Sequence, residues 1–224
     1  MKDAMIRQSN LPTWTGGSDQ PIHFLMPSQV QELEDAWSSW AEERENKKNY
    51  RFYIAFRILR ITGCRLGELV LVNDVSDIDH KNNKIRMPTL KQYRKTPRGS
   101  SNTREKKKMD QRKKTRILDL NGEIISLLLN YKNQFPSMHG QVFGFHASGY
   151  RKVHLEIARG LGFPEELQRA HILRHTRIME MVMAGVPMPL IQSIAGHRFL
   201  NSTMAYTQVS PEFASDLLKE KGLL

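Results

Sequence analysis

Four short stretches of the chain hold side chains able to bind an anion, move a proton or attack an electrophile: Arg65-Leu66-Gly67-Glu68, His171-Ile172-Leu173-Arg174-His175, Gly196-His197 and Tyr206. A guanidinium grips oxyanion oxygens through a planar fork and stays charged at any working pH. An imidazole exchanges protons near neutrality, and a phenol becomes a nucleophile once its proton is taken. Alone, each stretch has an ordinary reading. Arg65 with Glu68 can be a surface pair three residues apart on a helix. The second stretch can be a helix start with polar groups facing solvent, in a chain with eight histidines. Gly196-His197 can be a helix-ending glycine followed by a dipole-favoured cation, and Tyr206 a half-buried tyrosine.

The elements that must position these residues read as follows. Met1 to Gln20 has little periodicity and is expected to be a tail, with 1–25 placed outside the domain and 26–224 inside it. Ser28 with Gln31 has the pattern of a capping box, and Val30, Leu33, Trp37, Trp40 and Ala41 recur at helical spacing, predicting a helix to about Arg44. Tyr50 to Ile61 is apolar nearly all round, hence a buried helix, and Thr62-Gly63 breaks it. Arg65 therefore falls just past a buried helix end, and Leu66 to Val70 resumes as a short turn carrying Glu68. Val75 to Asp79, Lys84 to Thr89 and Thr115 to Leu120 predict three short antiparallel strands, the first two joined at Lys81-Asn82-Asn83. Helices are expected over Asn121–Phe135, Gly149–Gly162 after Ser148, His171–Ala184, Met188–Ala195, Ser202–Gln208 and Pro211–Gly222. The fold class is α+β: a mostly helical domain with one small three-stranded sheet.

Charge is concentrated. Of the net +11, +10 falls within Lys91–Arg116. That segment, polar and nearly free of apolar residues, cannot bury itself and reads as a long solvated connection between the second and third strands. It also suits a polyanion, whose counterions each contact releases. The single cysteine, Cys64, excludes an internal disulfide and a thiolate zinc site. No stretch has the apolar length of a membrane helix, and Met1 to Gly17 lacks a secretory signal. A cytoplasmic, nucleoid-associated location is expected.

Order and spacing outweigh the separate readings. Thr62-Gly63-Cys64-Arg65-Leu66-Gly67-Glu68-Leu69, then His171-Ile172-Leu173-Arg174-His175-Thr176, then Ile194-Ala195-Gly196-His197, then Tyr206 nine residues on with Thr207-Gln208-Val209 behind it, closely resembles the signature of the tyrosine recombinase and phage integrase family. The resemblance runs from about Pro27 to the C-terminus. It implies the family's catalytic fold and a DNA strand transfer in which Tyr206 attacks a phosphodiester and forms a 3′-phosphotyrosyl intermediate. Arg65 and Arg174 would then hold the phosphate oxygens, with His197 as a third donor. His171 would assist proton movement at the tyrosine, Glu68 would aim Arg65 from behind, and a lysine after the second strand would protonate the leaving 5′-oxygen. Lys91 matches that lysine best, with Lys95 in reserve.

DNA contacts are expected from Arg94, Lys95, Arg98, Arg104, Lys106, Lys107, Lys108, Arg112, Lys113 and Lys114. Because the covalent bond conserves energy, no cofactor, metal or ATP is expected, and no Gly-rich phosphate loop is found. The resemblance implies double-stranded DNA as partner and four protomers assembling on it from free monomers, without membrane association. The helix Pro211–Gly222 would dock either on a neighbour or on its own domain.

Two other functions stay open. Met181 to Ala205 scans as a helix-turn-helix of a non-catalytic DNA-binding regulator, although Leu190, Ile191, Ile194 and Ala195 leave few side chains for reading bases. A type IB topoisomerase-like relaxing enzyme shares the same residues. Many family members carry about a hundred further residues ahead of the catalytic domain. Only about 25 precede the first helix here, so the chain is expected to be either a short recombinase, similar in length to fimbrial invertases, or a catalytic fragment.

Overall fold

A computed structural model describes residues 14–15, 21–43, 46–90 and 115–206. Lys91, Arg94, Lys95, Arg98, Arg104, Lys106, Lys107, Lys108, Arg112, Lys113 and Lys114 lie outside the described residues, as does the helix expected over Pro211–Gly222. The described elements run β1 (Trp14–Thr15), β2 (Pro21–Ile22), α1 (Pro27–Glu43), α2 (Tyr50–Thr62), α3 (Leu66–Leu69), β3 (Ile78–Asp79), β4 (Lys84–Pro88), β5 (Thr115–Asp119), α4 (Gly122–Gln134), α5 (Ala147–Gly160), α6 (Ile172–Met183), α7 (Met188–Ala195) and α8 (Asn201–Met204).

Helix α2 is the axis of the domain. Its all-round apolar sequence puts Tyr53, Ile54, Ala55, Phe56, Ile58 and Leu59 into the core, where α1, α4 and α6 all pack on it. Trp37 of α1 stacks between Phe56 (5.0 Å between centroids) and Tyr150 of α5 (5.4 Å), tying three helices together through flat apolar faces. The sheet has the order β3-β4-β5, antiparallel throughout, with Ile85 facing Leu118 and Pro88 facing Thr115. Period-two alternation points Ile85, Met87, Leu118 and Leu120 inward and leaves Ile117 outside. The pairing Pro88↔Thr115 means that the basic connection leaves and re-enters at one end of the sheet.

Several boundaries differ from the sequence reading, each for a local reason. Helix α1 starts at Pro27, and the Met26 N–H donates to Gln29 Oε1, so Ser28 lies inside the helix and its capping box with Gln31 does not form. Helix α5 is capped by His146, whose Nδ1 accepts the Ser148 N–H, two residues before the predicted cap. The first sheet strand keeps only Ile78–Asp79. Asn73 Oδ1 accepts the N–H groups of Val75 and Ser76, and Asp77 Oδ2 accepts that of Asn73, which holds the backbone in turns. Helix α8 stops at Met204, leaving Tyr206 in the turn beyond it. At the N-terminal side, Trp14–Thr15 pairs with Pro21–Ile22, while Phe24 and Leu25 are buried. The Leu25 N–H donates to Thr176 Oγ1, fastening this segment to α6.

A second apolar cluster of Phe24, Ile178, Met179, Met181, Ile191, Ala195 and Tyr206 lies beneath α6 and α7. Met179 and Met181 are buried in it, with Met183 and Met188 packed against it, so these methionines serve as core packing. Helix α7 buries Ile191 and Ala195, and its position against α6 and β5 is that of a packed element.

His154 sits beside Trp37 and Tyr150 with neither ring nitrogen bonded among the described residues, and burial lowers it to about 4. Its folded value lies below the unfolded one, so the stability it allows is complete above about pH 6.5 and is lost as pH falls towards 4. His154→Leu should therefore lose less stability than wild type on going from pH 7 to pH 4.5 in urea unfolding. The expected difference is of the order of 2–3 kcal/mol, and parallel losses would contradict it.

Candidate active site

The break after α2 sets the first arginine. Gly63 has φ +62, a left-handed conformation, and a Cβ there would meet Arg177 Cβ and Cγ at 3.2 Å. The chain then turns so that Arg65 becomes the extended residue preceding α3. The Gly63 carbonyl accepts a 2.7 Å hydrogen bond from Arg174 Nη1, so one glycine both releases Arg65 from the helix and anchors Arg174.

Glu68 is fully buried and acts as the hub. Its Oε1 accepts from Arg65 Nη1 at 3.0 Å and its Oε2 from the Arg65 N–H at 3.1 Å. Arg116 of β5 donates through Nη2 to Oε2 at 2.7 Å. Burial pushes the carboxyl up, but the hydrogen bond and charge of Arg116, joined by those of Arg65, win and hold it below the usual range. Glu68 thus holds both the backbone N–H and the guanidinium of Arg65.

Arg116 is what the sequence reading missed. It was counted with the basic connection, yet its side chain is only 9% exposed. Besides Glu68 it bonds the Ile194 carbonyl (2.8 Å) and Thr89 Oγ1 (3.1 Å). Its guanidinium occupies the space that a Cβ on Gly196 would need, 2.7 Å from Nη1, so Gly196 is required both for φ +68 and for this close approach. Arg65 Nη1 also reaches the Gly196 carbonyl at 3.3 Å. The two arginines thereby fix the end of α7, and with it His197. A signal was available, since Arg116, Leu118 and Leu120 alternate on one face and both leucines point inward.

Arg174 is 2% exposed, and its Nη2 has no hydrogen-bond partner among the described residues. Burial and then repulsion from Arg65 lower it to about 10. Two guanidiniums are thus bonded to one carboxylate and a third, Arg174, lies within its electrostatic reach, leaving local positive charge and an open buried donor, the arrangement that an oxyanion would complete.

Tyr206 lies on this pocket, 3% exposed, its ring parallel to that of His197 (6.4 Å, 20°). His197 Nδ1 is engaged by Thr203 Oγ1 at 2.8 Å, which leaves Nε2 for another partner. The imidazole on the phenol is His175, with Nδ1 2.6 Å from the hydroxyl oxygen. His171, assigned that task from sequence, lies edge-on against the His175 ring, 4.6 Å between centroids. Burial, with the arginines adding, lowers His171 to about 4 and His197 to about 3, so both rings are neutral at pH 7. Burial pushes the Tyr206 phenol up to about 12 against the pull of Arg174 and Arg65. Arg65, His171, Arg174, His197, Tyr206 and Glu68 are all brought together. Leu90, one residue before Lys91, directs its N–H at Glu68 Oε1 (3.4 Å).

With this geometry in place, the chain belongs to the phage integrase family, whose model matches residues 23–212. It is 27% identical over 203 residues to the tyrosine recombinase XerC of Roseiflexus castenholzii, covering 84% of this chain and 55% of that protein. Among solved structures it resembles XerA recombinase, with a TM-score of 0.64 and 22% identity over 88% of this chain and 64% of the other. It also resembles XerH recombinase bound to its difH substrate before cleavage, with a TM-score of 0.62 and 20% identity over 86% and 52%. The chain spans little more than half the length of the curated relatives it matches.

The Arg116–Glu68 pair should be strongly coupled. Arg116→Met leaves a buried carboxylate short of a partner and is expected to cost about 3 kcal/mol in chemical denaturation. In a double-mutant cycle with Glu68→Gln the coupling should exceed about 1 kcal/mol, and simple additivity would contradict the network.

Proposed function

We propose that this chain, through a catalytic domain spanning residues 26–224, is a site-specific DNA recombinase that cuts and rejoins double-stranded DNA through a 3′-phosphotyrosyl bond on Tyr206. The observation that carries the reading is the tyrosine hydroxyl set beside a buried cationic pocket in which Arg174 keeps an unused donor. Tyr206 oxygen attacks phosphorus, the bond to the 5′-oxygen breaks, and negative charge grows on the nonbridging oxygens. Arg65, Arg174 and His197 Nε2 are the donors arranged for that charge. Lys91, with Lys95 in reserve, is assigned the proton delivered to the 5′-oxygen. The Leu90 contact with Glu68 supports Lys91, because it brings the backbone to the pocket's own carboxylate.

The ten basic residues from Arg94 to Lys114 are assigned to the DNA backbone, in keeping with a connection that opens where Pro88 and Thr115 meet. XerH, of similar fold, is bound to its DNA substrate in the structure named above. Assembly of four protomers on DNA from free monomers, and a nucleoid location, belong to the same proposal. Among the described residues no helix is long and apolar enough to cross a membrane. The inward-facing Ile191 and Ala195 of α7 disfavour a helix-turn-helix regulator.

A nicked suicide duplex, screened across genomic fragments because the target site is unknown, tests the reaction. Wild type should form a metal-independent covalent protein–DNA band and Tyr206→Phe none. Binding without a covalent band on any fragment would refute it.

A further inference from the structure

We propose that His175 is a catalytic residue: it accepts the proton of Tyr206 as the phenol attacks phosphorus, and returns it when the phenol leaves. This rests on the strand-transfer reading above. Tyr206 is 3% exposed and packs among Phe24, Ile178, Met179 and Ile191, so its proton has no ready route to bulk water and needs an acceptor inside the protein. Among the described residues the ring nitrogen bonded to the phenol is His175 Nδ1, at 2.6 Å, within proton-transfer distance. His197 lies parallel to the phenol ring with Nδ1 committed to Thr203, and His171 meets His175 rather than Tyr206.

The step balances. The Tyr206 O–H proton moves to Nδ1 while the oxygen–phosphorus bond forms, the phosphorus–O5′ bond breaks, and O5′ takes a proton from the general acid. In religation the 5′-hydroxyl attacks, the Tyr206 oxygen departs with its electron pair, and Nδ1 gives the proton back. The groups facing His175 are His171 and Arg174 on its own helix, His197 from the turn after α7, and His23 from the segment before α1. Burial and these neighbours keep the ring at about 3, hence neutral at working pH and a weak base until the surrounding positive charge is offset. A phosphate between Arg65 and Arg174 offsets their positive field, which favours the imidazolium as attack proceeds.

Single-turnover cleavage of the suicide substrate by wild type, Tyr206→Phe, His175→Ala and His175→Asn, from pH 6 to 10, tests the role. In asparagine the amide can keep a hydrogen bond to the phenol but takes no proton. Both His175 variants should bind DNA as wild type does and cleave about 10²- to 10⁴-fold more slowly at pH 7. Their rates should climb with pH as hydroxide replaces the lost base. Cleavage by His175→Asn within about threefold of wild type, or a loss equal at every pH, would overturn the proposal and leave an orienting role. An absent adduct with wild type itself would instead bring down the strand-transfer reading, and this role with it.

Discussion

The pocket depends on one buried carboxylate. Glu68 is wholly removed from water, which for a lone charge costs several kcal/mol, and the burial is sustained because Arg65 and Arg116 both pair with it. Each contact also joins distant parts of the chain. Arg65 follows α2, Glu68 belongs to α3, and Arg116 comes from β5, beyond the basic connection. Through the Ile194 carbonyl and the space above Gly196, Arg116 fixes the turn that carries His197. The carboxylate thus sets the mutual positions of Arg65 and of His197, 132 residues further on.

Electrostatic imbalance gives the site its chemistry. Arg65 and Arg174 repel one another, and Arg174 Nη2 is buried without a partner among the described residues, so under the proposed function a phosphate would offset the repulsion and accept that donor. Meanwhile burial keeps His171, His175 and His197 neutral and holds the Tyr206 proton tightly. The Tyr206 phenol is therefore protonated at neutral pH. Under the proposed strand transfer, a phosphate between the arginines would offset their field and so couple substrate binding to activation of the tyrosine.

Much of this was legible in the sequence, and the failures have physical causes. The apolar run of α2 and its glycine stop placed Arg65 correctly, because burial on all sides and a left-handed C-cap leave few alternatives. The strand expected from Val75 was lost because Asn73 and Asp77 side chains capture the backbone in turns, a local competition that hydrophobic pattern does not register. Arg116 was hidden by its neighbours: a run of basic residues reads as solvated, and only the alternation with Leu118 and Leu120 marks it as inward. Sequence reasoning named His171 for the proton at the tyrosine, whereas the way α6 meets the turn after α8 puts His175 against the phenol and His171 against His175. Motif order identified the group of residues, but tertiary placement was needed to say which imidazole touches the phenol.

The most direct measurement is chemical identification of the covalent bond. The protein–DNA adduct would be digested with nuclease and protease and the remaining nucleotide located by mass spectrometry. The account predicts a nucleotide joined through its 3′-phosphate to the Tyr206 oxygen. A nucleotide on another residue, or one joined through its 5′-phosphate, would contradict it.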